Sequence, residues 1–160
     1  MMGQVINAFW TLLCFLPVAA MWLRYGSQNQ LWIIIGLSLA ALAIPSRWLL
    51  LSKDPHFYQQ LGVRFIRKFV QNGDGYKRKK IIHDAASAIS YMSTIRMYER
   101  FHFFCLIFFF MSTIEGLIYS QYLTAALIVV ANVIYNVCPL FLQQYNYVRL
   151  KRFEQLNKFR

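Results

Sequence analysis

Apolar residues in this chain come in long runs rather than at the spacing of an amphipathic helix or strand. The four runs lie at 7–23, 31–51, 101–119 and 122–142. A bilayer core needs about 20 apolar residues at 1.5 Å per residue, and each run approaches that length. The second run is interrupted at Pro45, where we expect its helix to end or kink. Only Ser120 and Gln121 separate the last two runs, which predicts an antiparallel helix pair. We therefore predict an all-α integral membrane protein with about four transmembrane helices in two hairpins.

The polar stretches between and after these runs predict interfacial structure. Residues 52–100 mix charges, glycines and aromatic residues, so this segment cannot span a membrane. Within it, HFYQQLGVRFIRKFV at 56–70 interleaves aromatic and basic side chains, which predicts an amphipathic helix lying in the headgroup region. We expect the basic tail at 143–160 to form another helix along the surface. The whole chain, 1–160, is predicted to be a single membrane domain.

Charge predicts the orientation. The chain has 17 Lys and Arg against 6 Asp and Glu, and every Lys and Arg except Arg24 lies in 46–100 or 143–160. The positive-inside rule places both segments and both termini in the cytoplasm, as for a multi-pass protein of the cell membrane. We expect anionic lipid headgroups or substrate phosphates as partners and no nucleic acid, because no nucleic-acid motif accompanies the basic residues. The start, MMGQVINAFW, lacks a positive n-region, so we expect the first run to be retained.

Several chemical classes are disfavoured. Cys14, Cys105 and Cys138 lie inside apolar runs without metal-ligand spacing, so we predict neither a disulfide nor a metal site. The GxSxG elbow, the P-loop, the dinucleotide fingerprint and the His-x4-Asp pattern are absent. We therefore expect no cofactor.

The strongest candidate for chemistry lies where the third run begins. Glu99 and His102 are three residues apart and share one helix face. A neutral imidazole can act as general base towards a hydroxyl, and a carboxylate can orient it, which is the chemistry of acyl transfer without a covalent enzyme intermediate. Alternatively, both are ordinary interfacial residues, with Glu99 pairing with Arg96 or Arg100. Spacing alone slightly favours this alternative.

Polar residues of the fourth run change that balance. Asn136 lies inside the run, where an amide needs a polar partner, and Pro139 frees a backbone carbonyl that forms either a kink or part of a polar pocket. In an antiparallel pair, the end of the fourth run meets the start of the third. We therefore expect Asn136, Asn146 and Arg149 to face the candidate acid and base.

Together these residues resemble a known family. Glu99-x-x-His102, Asn136-Val-x-Pro139 and Gln144-Tyr145-Asn146-x-x-Arg149-Leu150 are similar to the C-terminal half of the glycosyl-4,4'-diaponeurosporenoate acyltransferases of staphyloxanthin-type carotenoid synthesis. IPSRW and the NGD turn follow the same order, so the resemblance covers roughly 44–150. The chain departs from the family pattern in the Tyr-Val pair at 147–148.

The resemblance implies a small membrane enzyme that moves a fatty acyl group to a hydroxyl, in that family a sugar hydroxyl of a glycosylated carotenoid. The expected donor is an acyl thioester, and the sequence leaves open whether it is acyl-CoA or acyl carrier protein. His102, Glu99 and Asn136 are the expected catalytic residues. The expected substrate-binding residues are Gln144, Tyr145, Asn146, Arg149, Arg64, Arg67, Asn72 and Asp74, although Asn72 and Asp74 are most simply turn residues.

Two other interpretations stay open at this point. One is a non-enzymatic subunit or assembly factor of a membrane complex, docking through the aromatic third span and the basic tail. The other is a membrane enzyme acting on an isoprenoid, such as a reductase or methyltransferase, whose cofactor motif is not found. The sequence also leaves open the acceptor, the acyl chain and oligomerisation through the aromatic spans.

Overall fold

A computed structural model describes residues 2–69 and 85–157, and within these ranges the chain is helical with no strand. The helices are α1 (Met2–Arg24), α2 (Gln28–Ala40), α3 (Ser46–Leu49), α4 (Pro55–Gln60), α5 (Val63–Phe69), α6 (Ala85–Ile118), α7 (Tyr122–Asn132) and α8 (Cys138–Asn157). A 3-10 turn, Ala41–Ala43, follows α2, and a π-helical turn, Val133–Val137, joins α7 to α8. The all-α prediction is confirmed.

In the part of the chain that the structure describes, two helices are long and apolar enough to cross a membrane. They are Ser90–Ile118 and Tyr122–Gln155, which contain 18-residue windows with mean hydropathies of 1.9 and 2.1. The segments Ala8–Arg24 and Gln28–Ala43 are apolar helices of shorter length. The third and fourth predicted spans thus correspond to long helices, and the first two correspond to shorter ones.

The second predicted span, 31–51, does not form one helix. Its helical part ends at Ala43, and Ile44 is extended with ψ near 124°. A residue before proline is driven out of the α region by the proline ring, and Pro45 then caps the four-residue helix α3. The helix of the second run therefore ends before Pro45 rather than kinking there.

Two interfacial predictions need correction. Residues 56–70 do not form one helix, because Gly62, with φ of 76°, separates α4 from α5. The tail is not a separate helix, because α7, the π turn and α8 form one continuous helix. The NGD turn lies outside the described residues.

A buried cluster between α1, α2, α6 and α7 forms the main core. Phe15 packs edge-on against Phe109 and Tyr135, with ring centroids 4.9 and 5.5 Å away. Trp22 Nε1 donates a hydrogen bond of 2.9 Å to Ser112 Oγ, which ties α1 to α6. This core fixes α6 beside the continuous helix that carries Asn136.

A second buried cluster attaches α4 and α5 to α8. Its fully buried members are Tyr58, Val63 and Leu142, and Tyr145 and Val148 complete it. Because this packing places α4 and α5 along α8, it brings their polar residues towards the half of α8 that follows the apolar run.

Candidate active site

The carboxylate of Glu99 is buried between two helices. The residue is only 1% exposed, and its Oε2 accepts a 2.6 Å hydrogen bond from Arg96 Nη1 in an ion pair. Its Oε1 accepts a 3.3 Å hydrogen bond from Gln144 Nε2 on α8. A buried charge requires such partners, because its transfer out of water is costly. The pairing with Arg96 that the interfacial interpretation expected therefore exists, but inside the protein rather than at its surface.

Gln144 connects this carboxylate to the segment between α3 and α4. Its Nε2 also donates a 2.8 Å hydrogen bond to the carbonyl of Leu49, and its Oε1 accepts from the backbone N–H of Leu51 at 3.3 Å. The Tyr58 hydroxyl lies 3.1 Å from the same oxygen and 3.0 Å from the Ser52 carbonyl. Burial is the largest effect on the Tyr58 hydroxyl and raises its pKa, so it remains a donor. Gln144 thus organises the polar face of α8 around Glu99.

His102 lies one helical turn after Glu99 and is 3% exposed. Its ring centroid is 5.7 Å from that of Tyr135, and the Asn136 side chain and the Tyr135 backbone carbonyl lie beside its imidazole. Nδ1 of His102 and Oδ1 of Asn136 are both buried and have no hydrogen-bond partner among the described residues. No hydrogen bond joins the imidazole to Glu99 among the described residues, and the two Glu99 oxygens bind Arg96 and Gln144 instead.

Asn136 is the fully buried end of a short chain of amides. Its Nδ2 donates a 2.8 Å hydrogen bond to Asn132 Oδ1, and Asn132 Nδ2 donates at 3.1 Å to the carbonyl of Leu106 on α6. Each amide is therefore oriented by the next. One N–H of the Asn136 side chain is used in the bond to Asn132, and the second N–H is left for another acceptor.

The π-helical turn and the proline after it change the hydrogen bonding of the backbone beside His102. The N–H of Cys138 donates to the carbonyl of Val133, five residues earlier. Pro139 has no N–H, so the carbonyl of Tyr135 lacks its usual helical donor four residues later. This is the carbonyl that interacts with His102. Single π-helical turns occur frequently at functional sites.

A second group of the predicted residues lies on a different face of α8. Arg64, Arg67, Tyr145 and Arg149 line a surface pocket of about 450 Å³ together with Gln59 and Val63. The guanidinium of Arg149 lies 5.3 Å from the Tyr145 ring centroid, and Arg64 Nη2 donates a 2.9 Å hydrogen bond to Gln59 Oε1. We call these residues the α5–α8 pocket.

The predicted site is therefore divided between two places. His102 lies with Asn136, and Glu99 with Gln144, inside the helix bundle. The α5–α8 pocket collects the arginines instead. Asn146 is half-buried, and its side chain has no recorded hydrogen bond to the described residues. Successive helical residues turn by about 100°, so Asn146 lies on nearly the opposite face of α8 from Gln144. Asn72 and Asp74 lie outside the described residues.

Sequence reasoning missed several residues of this site. Asn132 had a visible signal, because it lies four residues before Asn136 on the same helix face. Tyr58 had none, because it is distant in sequence from the predicted residue Gln144 and reaches it only when α4 folds onto α8. Tyr135 contributes a ring and a carbonyl to the surroundings of His102, and neither role is visible in an apolar run.

The arrangement can carry out acid–base chemistry on a bound hydroxyl. A buried imidazole with an unpartnered nitrogen can accept a proton, and an oriented amide beside it can donate to a developing oxyanion. Both side chains are buried, which shields the imidazole and the amide from water.

Comparison with known proteins assigns the chain to one group. A family model described as glycosyl-4,4'-diaponeurosporenoate acyltransferase matches residues 43–155. This range contains both parts of the divided site. No curated protein and no solved structure matches the chain.

Proposed function

The chain belongs to the glycosyl-4,4'-diaponeurosporenoate acyltransferase family, and from this we propose that it transfers a fatty acyl group from an acyl thioester to a hydroxyl of a membrane lipid or glycosylated carotenoid. Membership of this family supports acyltransferase activity in carotenoid synthesis. The thioester donor, the acceptor hydroxyl and the residue roles are our proposal.

In the proposed reaction His102 is the general base. Its imidazole accepts the proton of the acceptor hydroxyl while the hydroxyl oxygen attacks the thioester carbonyl. The tetrahedral intermediate then collapses, breaking the carbon–sulfur bond, and the imidazolium returns the proton to the leaving thiolate. The products are an ester and a free thiol, and no covalent enzyme intermediate forms. The observation that carries this role is the buried, unpartnered Nδ1 of His102 beside Asn136.

Asn136 supplies a hydrogen bond to the oxyanion. Its Nδ2 is held in place by Asn132, and the remaining N–H is oriented before substrate arrives. Preorganised donors of this kind lower the barrier because they need not reorient during the reaction. Asn146, which we expected to face the candidate acid and base, lies on nearly the opposite face of α8 from Gln144, so we assign the oxyanion contact to Asn136 alone.

Glu99 acts as a positioning residue. Its contacts with Arg96 and Gln144 hold α6, α8 and the segment after α3 together one turn from His102.

The α5–α8 pocket is suited to a phosphate. Three arginines line it, and no carboxylate does. We propose that Arg64, Arg67 and Arg149 hold the phosphate of a membrane lipid or lipid-linked substrate, with the Tyr145 ring as an apolar wall.

We further propose that α1, α2, α6 and the α7–α8 helix cross the membrane as two hairpins with both termini in the cytoplasm. The distribution of Lys and Arg supports this orientation. It places the arginine-rich parts of α5 and α8 at the cytoplasmic surface, where a soluble acyl donor is available.

The experiment that tests the proposal is reconstitution. The purified protein in lipid vesicles, supplied with a long-chain acyl-CoA and a glycosylated carotenoid, should form the carotenoid glycoside ester, detected by mass spectrometry. The same vesicles with acyl-loaded carrier protein test the other thioester. Absence of ester with both donors, in a protein whose fold is intact by circular dichroism, would favour a non-enzymatic role.

A further inference from the structure

A second basic pocket lies on a different face of α8 from the α5–α8 pocket. Its volume is about 420 Å³, and its lining residues are Arg47, Leu50, Lys53, Arg96, Tyr147, Val148, Lys151, Arg152 and Gln155. We propose that this pocket, here called the α3–α8 pocket, binds the phosphate groups of coenzyme A and so makes an acyl-CoA the donor. The inference rests on the proposed acyl transfer and deepens it.

The charge of the α3–α8 pocket indicates a highly anionic ligand. Five of its lining residues are Lys or Arg, and none is acidic. Arg47, Lys53, Lys151 and Arg152 have no carboxylate partner among residues 2–69 and 85–157. Cations gathered without counter-charges repel one another, and bound phosphates relieve that repulsion. Coenzyme A brings a diphosphate and a 3'-phosphate in one molecule.

Arg96 connects the pocket to the buried site. It is the one cation of the pocket with a carboxylate partner in the described part of the chain, because its Nη1 binds Glu99 at 2.6 Å. Its guanidinium also lies 3.6 Å from the Tyr147 ring centroid, which fixes its position. His102 is six residues further along α6, about 9 Å at 1.5 Å per residue. A pantetheine arm can cover that separation, so phosphates in the pocket and a thioester at His102 are compatible.

The α5–α8 pocket lacks this connection. Its lining residues include neither Arg96 nor any other residue that binds Glu99. The two pockets therefore differ in their relation to the buried site. We assign the donor phosphates to the α3–α8 pocket and leave the α5–α8 pocket to the lipid-borne substrate.

The shape favours a small ligand over a protein surface. Pockets for ligands and cofactors have volumes of about 300–1,000 Å³, a range that includes this one. Leu50, Tyr147 and Val148 supply the apolar part of its lining. A concave pocket lined by cations and apolar side chains fits a nucleotide phosphate better than the flat acidic face of a carrier protein.

The test is binding by titration calorimetry with the full chain in nanodiscs of neutral phosphatidylcholine. The probes are coenzyme A, dephospho-coenzyme A and pantetheine, none of which requires turnover. We expect affinity to fall at least about tenfold on loss of the 3'-phosphate and to vanish for pantetheine. The double variant Arg47→Gln/Arg152→Gln, which leaves the Arg96–Glu99 pair intact, should weaken coenzyme A binding by about 100-fold or more.

Matched variants make the result specific. Arg24→Gln, which also removes positive charge but lies at the end of α1, should bind coenzyme A like the parent protein, as should His102→Ala. Equal affinity for the three probes, or unchanged affinity in the double variant, would overturn the inference. Binding of phosphatidylglycerol vesicles that depends on Arg47 and Arg152, without binding of coenzyme A, would also overturn it and assign the pocket to lipid.

The outcome separates this inference from the proposed function. Pocket-dependent coenzyme A binding without ester formation from any donor would sustain the pocket and refute acyl transfer. Ester formation from acyl carrier protein, with coenzyme A binding unaffected by the double variant, would sustain acyl transfer and refute the assignment of the α3–α8 pocket.

Discussion

At the scale of single residues, two unusual atoms lie side by side in the bundle, Nδ1 of His102 and Oδ1 of Asn136. Both are buried without a partner among the described residues, although a buried polar atom without a hydrogen bond costs about 1–3 kcal/mol. Such atoms are few in folded proteins and call for an explanation. A hydroxyl-bearing substrate that bonds to them would relieve that cost on binding.

A comparison of variants at Asn136 and Asn132 distinguishes an effect on catalysis from an effect on stability. Asn136→Ala and Asn132→Ala both break the 2.8 Å bond between the two side chains and should each destabilise the protein by about 1–3 kcal/mol. Only Asn136→Ala also removes the proposed oxyanion donor, so its turnover should fall by a further 100-fold or more. Thermal unfolding in detergent and initial rates of ester formation measure the two effects. Equal rates in the two variants would exclude the oxyanion role.

Residue types and local spacing predicted part of this site. The three-residue spacing of Glu99 and His102 placed them on one face of α6, and both are buried there. The bond between Glu99 and Gln144 was not predictable, because it joins residues 45 positions apart and depends on how α6 packs on α8. Spacing along one helix does not reveal which neighbouring helix satisfies each side chain.

At the scale of helices, the π turn is the feature that most directly shapes the site. Pro139 removes the α-helical partner of the Tyr135 carbonyl, and the π turn before it contains Asn136.

We predict that Pro139→Ala separates stability from activity. An added N–H at position 139 can bond to the Tyr135 carbonyl and draw it away from His102, so the variant should be as stable as the parent protein or more so. Turnover should nevertheless fall by about tenfold or more, because His102 and Asn136 lose their alignment. Unfolding temperature and initial rate, compared in the same detergent, test this. Parent-like turnover in a stabilised variant would show that the π turn is dispensable.

Helix boundaries show where sequence reasoning was limited. The apolar run predicted a third helix from 101, but α6 begins at Ala85 and carries Glu99 in a polar extension. An apolar run marks the part of a helix that suits a bilayer, and a helix continues beyond it wherever other packing stabilises it. α6 packs against α8 in this part of the fold. The tail continues as α8 for the same reason, since α4 and α5 bury its apolar face.

At the scale of the whole molecule, basic residues flank α8 on two sides. The α3–α8 and α5–α8 pockets each gather at least three cations. Net charge and its distribution along the sequence predicted a basic surface on one side of the membrane. They did not predict its division into two pockets, because that depends on where α3, α4 and α5 fold against α8.

The proposed orientation predicts a labelling pattern. In a variant with Cys14, Cys105 and Cys138 replaced by alanine, single cysteines at Asn29 and Tyr122 should react with a membrane-impermeant maleimide in intact cells. A cysteine at Gln60 should react only after the cells are permeabilised, because positive-inside orientation places the segment after α3 in the cytoplasm. These three positions are exposed in the structure. Labelling of the Gln60 position in intact cells would reverse the orientation.

The most direct test of acyl transfer compares two histidines. His102→Ala and His56→Ala are matched in chemistry, but His56 is exposed on α4 and its imidazole makes no recorded hydrogen bond to the described residues. In vesicles with an acyl thioester and a glycosylated carotenoid, His102→Ala should lose ester formation by about 100-fold or more while keeping the parent circular dichroism spectrum. His56→Ala should form ester at the parent rate. Parent-like ester formation by His102→Ala would contradict the proposed mechanism.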